Sequence, residues 1–190
     1  MRENIKSRLK ESIAVKNKVL EELVPQIETA ARQIVAVLKN GNKVLLFGNG
    51  GSASDAQHLA GELIGRFKKN RRALAAIALN TDTSILTCLS NDFGYDTVFE
   101  RQIEGLAKAG DICIGLSTSG NSENVLRGLR KAKELGCKTI AFLGCDGGKI
   151  AREADLTIII PSQNTPRIQE SHITIGHIIC GLVEEELFTR

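Results

Sequence analysis

The stretch DICIGLSTSGNSENVLRGLRKAKELGCKTIAFLG, residues 111–144, decides the fold class of this chain. An apolar run at 111–117 leads through a serine-rich loop at 117–122 into a helical pattern at 122–135, and a second apolar run follows at 138–144. A strand, a helix and another strand in this order form one unit of a parallel sheet. Because both strands are apolar on both faces, we expect helices to cover the sheet on both sides.

The same alternation extends in both directions along the chain. Three more apolar runs are strand-like, namely KVLLF (43–47), LAAIAL (74–79) and LTIIIP (156–161). The patterns between and after them predict helices over 53–66, 83–90, 99–107 and 167–188, with NDFGYD (91–96) as a loop. Two further helices, 3–23 and 25–38, precede the first strand and suggest a helical layer or an assembly surface. We predict an α/β fold, a doubly wound five-stranded parallel sheet preceded by two N-terminal helices.

The composition excludes several classes of protein. With 190 residues and 42% hydrophobic residues, the chain can bury a core without disulfides or a metal, and it is not disordered. The 25 basic and 22 acidic residues provide no dense basic face, so we expect no binding to nucleic acid. The apolar runs are strand-sized and no signal peptide is visible, so we expect one domain over 1–190, a cytoplasmic location and no membrane contact.

The cysteines indicate inert thiols in a reduced, cytosolic protein. There are five of them, an odd number, and no two form a CxxC pair. Disulfides and a zinc–thiolate site are therefore not expected. They are Cys88, Cys113, Cys137, Cys145 and Cys180.

The loop STSGNS (117–122) is the first candidate binding site. It places hydroxyls, a glycine and backbone amides directly before a helix, where outward amides and the helix dipole favour an anion. Hydroxyl groups suit a phosphomonoester that must leave after turnover. A simple helix cap is the alternative interpretation, because Ser and Asn are common caps. The run is nevertheless denser than a cap requires, with Ser117, Thr118, Ser119, Asn121 and Ser122.

A second glycine-rich loop opens the stretch GNGGSASDAQHLAGEL (48–63). Its glycines allow close approach of a ligand, but the spacing is not GxGxxG and no acidic residue ends the next strand, so a dinucleotide is a weak interpretation. His58 and Glu62 follow on one helix face, since they are four residues apart. They can be metal ligands or an acid/base pair, although a simple surface pair is the commoner outcome.

The last helix carries the other two histidines of the chain. Gln169 and His177 are eight residues apart and fall within one quadrant of the helix, and Gln169 lies near the ligand edge of the sheet. His177 lies in an apolar stretch, where a buried core histidine is the usual outcome. We expect His172 to be exposed or at an interface. The two candidate ligand loops, a Glu and one or two His together suit proton transfer next to the carbonyl of a sugar phosphate.

The motifs STSGNS, GNGGSASDAQH and RIQE resemble those of the sugar isomerase (SIS) domain family, and within it the phosphoheptose isomerases. The resemblance covers nearly the whole chain, including NDFG (91–94) and DGGK (146–149). It implies a homotetramer with active sites between neighbouring subunits, in which the helices within 3–40 contribute to the contacts. It also implies conversion of sedoheptulose 7-phosphate to D-glycero-D-manno-heptose 7-phosphate, for lipopolysaccharide or other surface glycans.

The resemblance implies roles for individual residues as well. The acid/base residues would be Glu62 and His177. The substrate chain would contact Asn49, Gly50, Gly51, Ser52, Glu62, Asn91, Asp92 and Gln169. The phosphate would be held by Ser117, Thr118, Ser119 and Ser122. One zinc per subunit, present in some members, would be bound by His58, Glu62, Gln169 and His177.

Two departures from the family pattern and two alternative functions remain open. Phe67 stands where the family often has Tyr, and Pro166 stands where some members have an acidic residue, which leaves one substrate hydroxyl contact open but not the chemistry. A close paralogue is a non-enzymatic tetramer that binds the bacterial replication initiator, but it lacks the residues equivalent to Glu62 and His177. An isomerase of another sugar phosphate is the third interpretation, because a fold does not fix a substrate.

Overall fold

Five parallel strands form one sheet, which confirms the predicted fold class. They are β1 (Val44–Gly48), β2 (Ala76–Ala78), β3 (Ile112–Ser117), β4 (Lys138–Leu143) and β5 (Leu156–Ile159), and their order is β2-β1-β3-β4-β5. The structure is a computed structural model that describes residues 1–188, so the last two residues of the expected domain, 189 and 190, lie outside the described residues.

Helices cover both faces of the sheet. Those described within residues 1–188 are α1 (Arg2–Glu22), α2 (Val24–Lys39), α3 (Gly51–Ile64), α4 (Thr83–Phe93), α5 (Val98–Leu106), α6 (Glu123–Glu134) and α7 (Thr165–Phe188). Side chains of a strand alternate between faces, so Leu46 and Ile114 pack with α2, α3 and α7, whereas Phe47 and Cys113 pack with α5 and α6. None of these helices is both long enough and apolar enough to cross a bilayer.

The segment NDFGYD is mostly helical, so the expected loop at 91–96 is wrong. Helix α4 continues through Asn91 and Asp92 and ends at Phe93. The stop is Gly94, whose φ of +86° suits a glycine and whose N–H still donates to the carbonyl of Ser90 at 3.2 Å. A short 3-10 turn, Tyr95–Thr97, then leads into α5. Helix α3 likewise begins at Gly51, two residues before the predicted start.

The strand order places both candidate loops at one point of the sheet. Strand β1 has β2 on one side and β3 on the other, so the chain leaves β1 in one direction and later continues from β3 in the other. Ligands of open α/β sheets bind in the crevice that forms at the carboxyl ends of such neighbouring strands. GNGGS follows β1 and STSGNS follows β3, so the two loops border this crevice.

Candidate active site

Asn49, the first residue after β1, joins the two loops across the crevice. Its Nδ2 donates to Oδ1 of Asn124, and Nδ2 of Asn124 donates back to Oδ1 of Asn49, both at 2.9 Å. The hydroxyl of Tyr95 donates to the same Oδ1 at 3.0 Å. The buried side chain of Asn124 therefore fixes the spacing of the loops. Sequence reasoning did not assign Asn124 or Tyr95 a role, although Asn124 lies two residues after STSGNS.

The serine loop gathers three hydroxyls at the start of α6. The Oγ atom of Ser117 lies 3.0 Å from that of Ser122 and 3.5 Å from that of Ser119. Ser122 is the N-cap residue of α6, yet its side chain makes no capping hydrogen bond. The hydroxyl turns toward the cluster instead, which argues against a simple helix cap. Thr118 lies between two members of this cluster and completes the loop.

The segment DGGK (146–149) packs against Gly120 and Asn121 of the serine loop. Gly120 has a φ of +67°, and a Cβ atom there would overlap the carbonyl of Gly147. The backbone N–H of Lys149 donates to Oδ1 of Asn121 at 3.1 Å, and that of Ile150 donates to the carbonyl of Gly120 at 3.0 Å. Two glycine turns pack together here, and this contact fixes the shape of the hydroxyl cluster.

The GNGGS loop presents backbone rather than side chains. Gly50 has a φ of +54° and, like Gly51, is exposed. A Cβ atom at Gly51 would overlap the side-chain amide of Gln169, so the start of α7 rests directly on the start of α3. Ser52 is buried, with its Cβ close to Gly48. The exposed surface of the loop is therefore formed by the two glycines.

His58, Glu62 and His177 form a polar cluster between α3 and α7. The Nε2 atoms of His58 and His177 are 2.8 Å apart, and Nε2 of His58 lies 3.2 Å from Oε1 of Glu62. The helices approach closely at this level, because a Cβ atom on Gly176 would overlap the side chain of Leu59. His58 is exposed, and the other two residues are half-buried, so the cluster is open to the surface.

The cluster has donor types that zinc prefers, close enough to one another to surround a single ion. One ligand atom from each residue lies within 4.8 Å of the other two. Zinc binds imidazole nitrogen and carboxylate oxygen in tetrahedral sites, where ligand atoms are about 3.3 Å apart. Gln169, the fourth predicted ligand, lies at the level of Gly51, about 10 Å along α3 from His58. The structure thus gathers three of the four predicted ligands.

The environments of the two histidines of α7 are the reverse of those expected: His172 is buried and His177 is only half-buried. His172 is fully buried, its Nε2 donates to the carbonyl of Leu143 at 2.9 Å, and burial lowers its pKa to about 4. His177 is half-buried, and its ring lies 5.7 Å from that of Phe67. The expectation of an exposed His172 is wrong, because α7 turns its face with Ile168, His172 and Ile175 toward the sheet, and His177 then faces α3.

Asn91 and Asp92 lie at the exposed end of α4. Among the described residues, the side-chain hydrogen bond of Asn91 goes to its neighbour, with Nδ2 donating to Oδ1 of Asp92 at 2.8 Å. The turn that follows brings Tyr95 to Asn49. This chain therefore connects the end of α4 to the GNGGS loop through Tyr95 rather than through Asn91 or Asp92.

Comparisons with known proteins agree with this fold and identify the family. The sequence profile of the SIS domain family matches residues 9–144, which gives the class of the protein. The phosphoheptose isomerase of Aquifex aeolicus is 60% identical over 190 residues, which cover 100% of both chains. The solved structure of a phosphoheptose isomerase from Neisseria gonorrhoeae has a TM-score of 0.93 and 42% identity, and it covers 97% of this chain and 98% of that chain.

A second solved structure, a phosphoheptose isomerase from Francisella tularensis, has a TM-score of 0.94 and 36% identity and covers 96% of this chain and 97% of that chain. Identity at this level, over nearly full length, includes the N-terminal helices as well as the sheet. The chain therefore belongs to the SIS domain family and, within it, to the phosphoheptose isomerases.

Proposed function

We propose that this protein is an aldose–ketose isomerase that converts sedoheptulose 7-phosphate to D-glycero-D-manno-heptose 7-phosphate for lipopolysaccharide or other surface glycans. The observation that carries the proposal is the meeting of Glu62 and His177 in one cluster, in a chain that also holds three serine hydroxyls at a helix start. Relatives named phosphoheptose isomerase support the substrate.

The reaction moves a proton between C1 and C2 and transfers protons among the oxygens, through an enediol. Glu62 takes the carbon proton, because its half-buried carboxylate is partly shielded from water and retains an exposed path to the substrate. His177 moves the oxygen protons, since an imidazole can donate and accept near neutral pH. Nε2 of His58 lies between the two groups, 3.2 Å from Glu62 and 2.8 Å from His177.

The loops bind the rest of the substrate. The hydroxyls of Ser117, Thr118, Ser119 and Ser122 donate to the phosphate, together with the backbone amides at the start of α6. Asn49, Gly50 and Gly51 border the sugar chain, with Ser52 behind them and with Gln169, Asn91 and Asp92 as further contacts. Binding energy from the phosphate, far from the reacting carbons, holds the open-chain sugar in the reactive geometry.

We propose one zinc per subunit, held by His58, Glu62 and His177 with Gln169 as a fourth candidate. When bound, zinc would supply Lewis-acid polarisation of a substrate oxygen. Glu62 and His177 would transfer protons only while they are not held as its ligands. The chain's own residues bring two nitrogen donors and one carboxylate oxygen within 4.8 Å of one another. Because both histidines must be neutral to bind a metal, we expect the affinity to fall in acid.

We propose a homotetramer with active sites between neighbouring subunits. Glu62 lies eleven residues after Gly51, about 16 Å along α3 from the loops. A heptose phosphate is roughly 10 Å long when extended, from six carbon–carbon bonds of about 1.5 Å and a phosphoester. A phosphate loop of a neighbouring subunit would bring phosphate and reacting carbons within this reach. Helix α1 offers an apolar stripe for such contacts, with Ile5, Leu9, Ile13 and Leu20 exposed.

We also propose a cytoplasmic location and a single SIS domain that includes the two N-terminal helices. The support for the location is the state of the cysteines, all five of which are free thiols. The support for the domain is the packing of α2, whose buried face belongs to the same core cluster as β1, α3 and α7. Helices α1 and α2 are thereby part of the unit that holds the site.

The test is incubation with sedoheptulose 7-phosphate in deuterium oxide, followed by NMR. We expect the heptose product, with solvent deuterium at C1 or C2. Glu62→Gln keeps the side-chain volume, removes the carboxylate and is expected to lower kcat about a hundredfold or more while substrate still binds. The matched control is Glu104→Gln, an exposed glutamate of α5 whose partner is Arg101.

Three outcomes would contradict this proposal. Turnover of Glu62→Gln near the wild-type rate would remove Glu62 as the base. Absence of turnover by the well-folded wild-type protein would favour the non-enzymatic alternative, which a pull-down with the replication initiator then tests. Faster turnover of a five- or six-carbon sugar phosphate would instead change the substrate and keep the chemistry.

A further inference from the structure

A buried ion pair lies beyond the cluster, at the far ends of α3 and α7. Nε of Arg71 donates to Oε2 of Glu184 at 2.8 Å, and both side chains are almost fully buried, with exposures of 1% and 2%. None of the roles discussed above uses either residue. A buried ion pair is often no more stabilising than a well-packed apolar pair of similar volume. Stability alone therefore does not explain this pair, and its contacts indicate what else it does.

Glu184 holds the segment that follows α3. Its two carboxylate oxygens accept hydrogen bonds from the backbone N–H groups of Phe67 at 3.1 Å, Lys68 at 2.8 Å and Lys69 at 2.6 Å. Burial alone would raise the pKa of Glu184, but these hydrogen bonds and the one from Arg71 outweigh it and lower the pKa to about 2. The carboxylate therefore stays ionised and keeps all four donors.

Arg71 holds the end of α3 itself. Its Nη2 donates to the carbonyl of Glu62 at 2.8 Å, and its Nη1 donates to the carbonyl of Leu63 at 2.9 Å. These carbonyls belong to the last turn of α3, where intrahelical partners are missing and a cation is favourable. The guanidinium thus fixes the backbone that carries the Glu62 carboxylate.

The held segment also reaches His177. Phe67 is its first anchored residue, and its ring lies 5.7 Å from the ring of His177 with an angle of 33° between the planes. Glu184 follows His177 by seven residues, two turns of α7, so both side chains lie on the helix face that meets α3. The ion pair therefore contacts the backbone of Glu62 directly and reaches His177 through Phe67.

We infer that Arg71 and Glu184 are positioning residues, which set the separation of Glu62 and His177 by joining the end of α3 to α7. This inference rests on the proposed function, because it concerns the acid/base pair of that reaction. Three contacts then define how the two helices meet: Gln169 on Gly51 at the start, Gly176 against Leu59 in the middle, and the ion pair at the end.

The chain offers a matched control for a test of this inference. Asp111 is a second buried carboxylate that pairs with a cation, Lys43, and accepts hydrogen bonds from the backbone N–H groups of Lys43 and Lys108. It lies at the start of β3, at the end of the strand opposite to the loops. Asp111→Asn therefore removes a comparable buried charge without touching α3 or α7.

The first measurement compares kcat, KM and thermal unfolding of Glu184→Gln, Arg71→Lys and Asp111→Asn, at a temperature at which all are folded. We expect all three to unfold at lower temperature. We expect kcat to fall about tenfold or more in the two ion-pair variants, with KM within about threefold, because a small displacement of reacting groups has a large effect on rate. A change in kcat of Asp111→Asn as large as that of Glu184→Gln would reduce the ion pair to a structural role.

The second measurement does not depend on activity. In NMR spectra of metal-free protein with labelled histidine, the ring resonances of His177 should shift in Glu184→Gln and in Arg71→Lys, and they should stay in place in Asp111→Asn. Unchanged His177 resonances in Glu184→Gln would overturn the inference. If the wild-type protein shows no isomerase activity, the proposed function fails and these spectra still decide whether the pair positions His177. If Glu184→Gln does not fold, Arg71→Lys carries the test.

Discussion

At the scale of single residues, the direction of one hydroxyl group in the serine loop distinguishes a helix cap from a ligand-binding site. A capping serine would direct its hydroxyl to an amide of its own helix. Ser122 directs it to Ser117 instead, at 3.0 Å, and leaves the amides of Glu123 and Asn124 uncapped by its own hydroxyl, whereas the N–H of Val125 donates to Oδ1 of Asn124 at 2.9 Å. Phosphate oxygens can then receive hydrogen bonds from hydroxyls and amides together, which fits an anion that binds and leaves in each cycle.

Removal of one hydroxyl from this cluster should weaken substrate binding. We expect Ser119→Ala and Ser122→Ala each to raise the dissociation constant of the sugar phosphate about fivefold, which corresponds to about 1 kcal/mol for one hydrogen bond. Calorimetric titration measures this, with Thr29→Ala as control, since the hydroxyl of Thr29 donates to the carbonyl of Pro25 in its own helix α2, away from the loops. Unphosphorylated sedoheptulose that reacts as well as its phosphate ester would contradict the phosphate assignment.

His172 should make the stability of the protein depend on pH. Its pKa is lowered to about 4 in the folded protein, because burial disfavours the charged ring, and the ordinary value is 6.5. The folded state therefore binds fewer protons, and the stability present above pH 6.5 is lost as the pH falls toward 4, by up to about 1.4 kcal/mol per pH unit. Urea unfolding of the wild type and of His172→Gln between these pH values measures the difference.

Asp55 acts in the opposite direction over the same pH range, so the comparison needs a second variant. Burial raises the pKa of Asp55 to about 6, and its protonation in acid favours the folded state. We expect Asp55→Asn to make the loss of stability in acid steeper and His172→Gln to make it shallower. A pH profile of His172→Gln parallel to that of the wild type would contradict the assignment of His172 as a neutral core residue.

At the scale of elements, the pair of helices α3 and α7 creates a site that neither helix has alone. Both begin near the crevice and run side by side in the same direction, so residues with nearly the same separation along the chain meet: Gly51 meets Gln169, and His58 meets His177. A parallel pair of this kind requires close contact without large side chains between the helices. Gly176 provides it against Leu59.

The cluster between these helices should bind zinc. We expect protein purified without chelator to contain up to one zinc per subunit by elemental analysis, and His58→Ala to lose it, because one of two nitrogen donors is removed. Gln57→Ala, the exposed neighbouring position on α3, is the control and should keep the metal. Equal zinc content in His58→Ala and the wild type would place any bound zinc elsewhere. Full activity of metal-free protein, unchanged by added zinc, would exclude a catalytic role.

At the scale of the whole molecule, the exposed apolar stripe of α1 is the surface through which we expect copies of the chain to associate. Leu9 is 59% exposed and lies in the apolar stripe of this helix, whereas Val15 packs inward. We expect Leu9→Glu to reduce the proposed tetramer to smaller species in light scattering, because a buried unpaired charge opposes association. Lys18→Glu, on the opposite side of α1, is the control and should leave the assembly intact. A tetramer that survives Leu9→Glu and Ile13→Glu would remove α1 from the interface.

Assembly and activity should change together in these variants. If neighbouring subunits complete the site, the smaller species formed by Leu9→Glu loses turnover even though Glu62 and His177 are unchanged. The distance of about 16 Å along α3 between Gly51 and Glu62 is the reason for this expectation. Full activity of a monomer would show that one chain suffices.

The sequence alone determined the elements, the fold class and the family. Strand residues that are apolar on both faces and the turns at GNGGS and STSGNS have a local physical cause, so they can be predicted without a structure. The end of α4 was missed, since Gly94 rather than the polar pair Asn91–Asp92 ends that helix. The motifs also gave the candidate residues, because their spacing along one helix is fixed by the helical repeat.

Only the tertiary structure decided which of these elements and residues meet. The strand order β2-β1-β3-β4-β5 depends on pairing between distant segments, and it brings the two loops to one crevice. Helical periodicity assigns His172 and His177 to different faces of α7 but does not say which face is buried. The burial of His172 and the partial exposure of His177 were therefore not predictable. The contacts of Asn124 with Asn49 and of Arg71 with Glu184 join residues 75 and 113 positions apart. Such contacts depend on how the whole chain packs, and no local pattern encodes them.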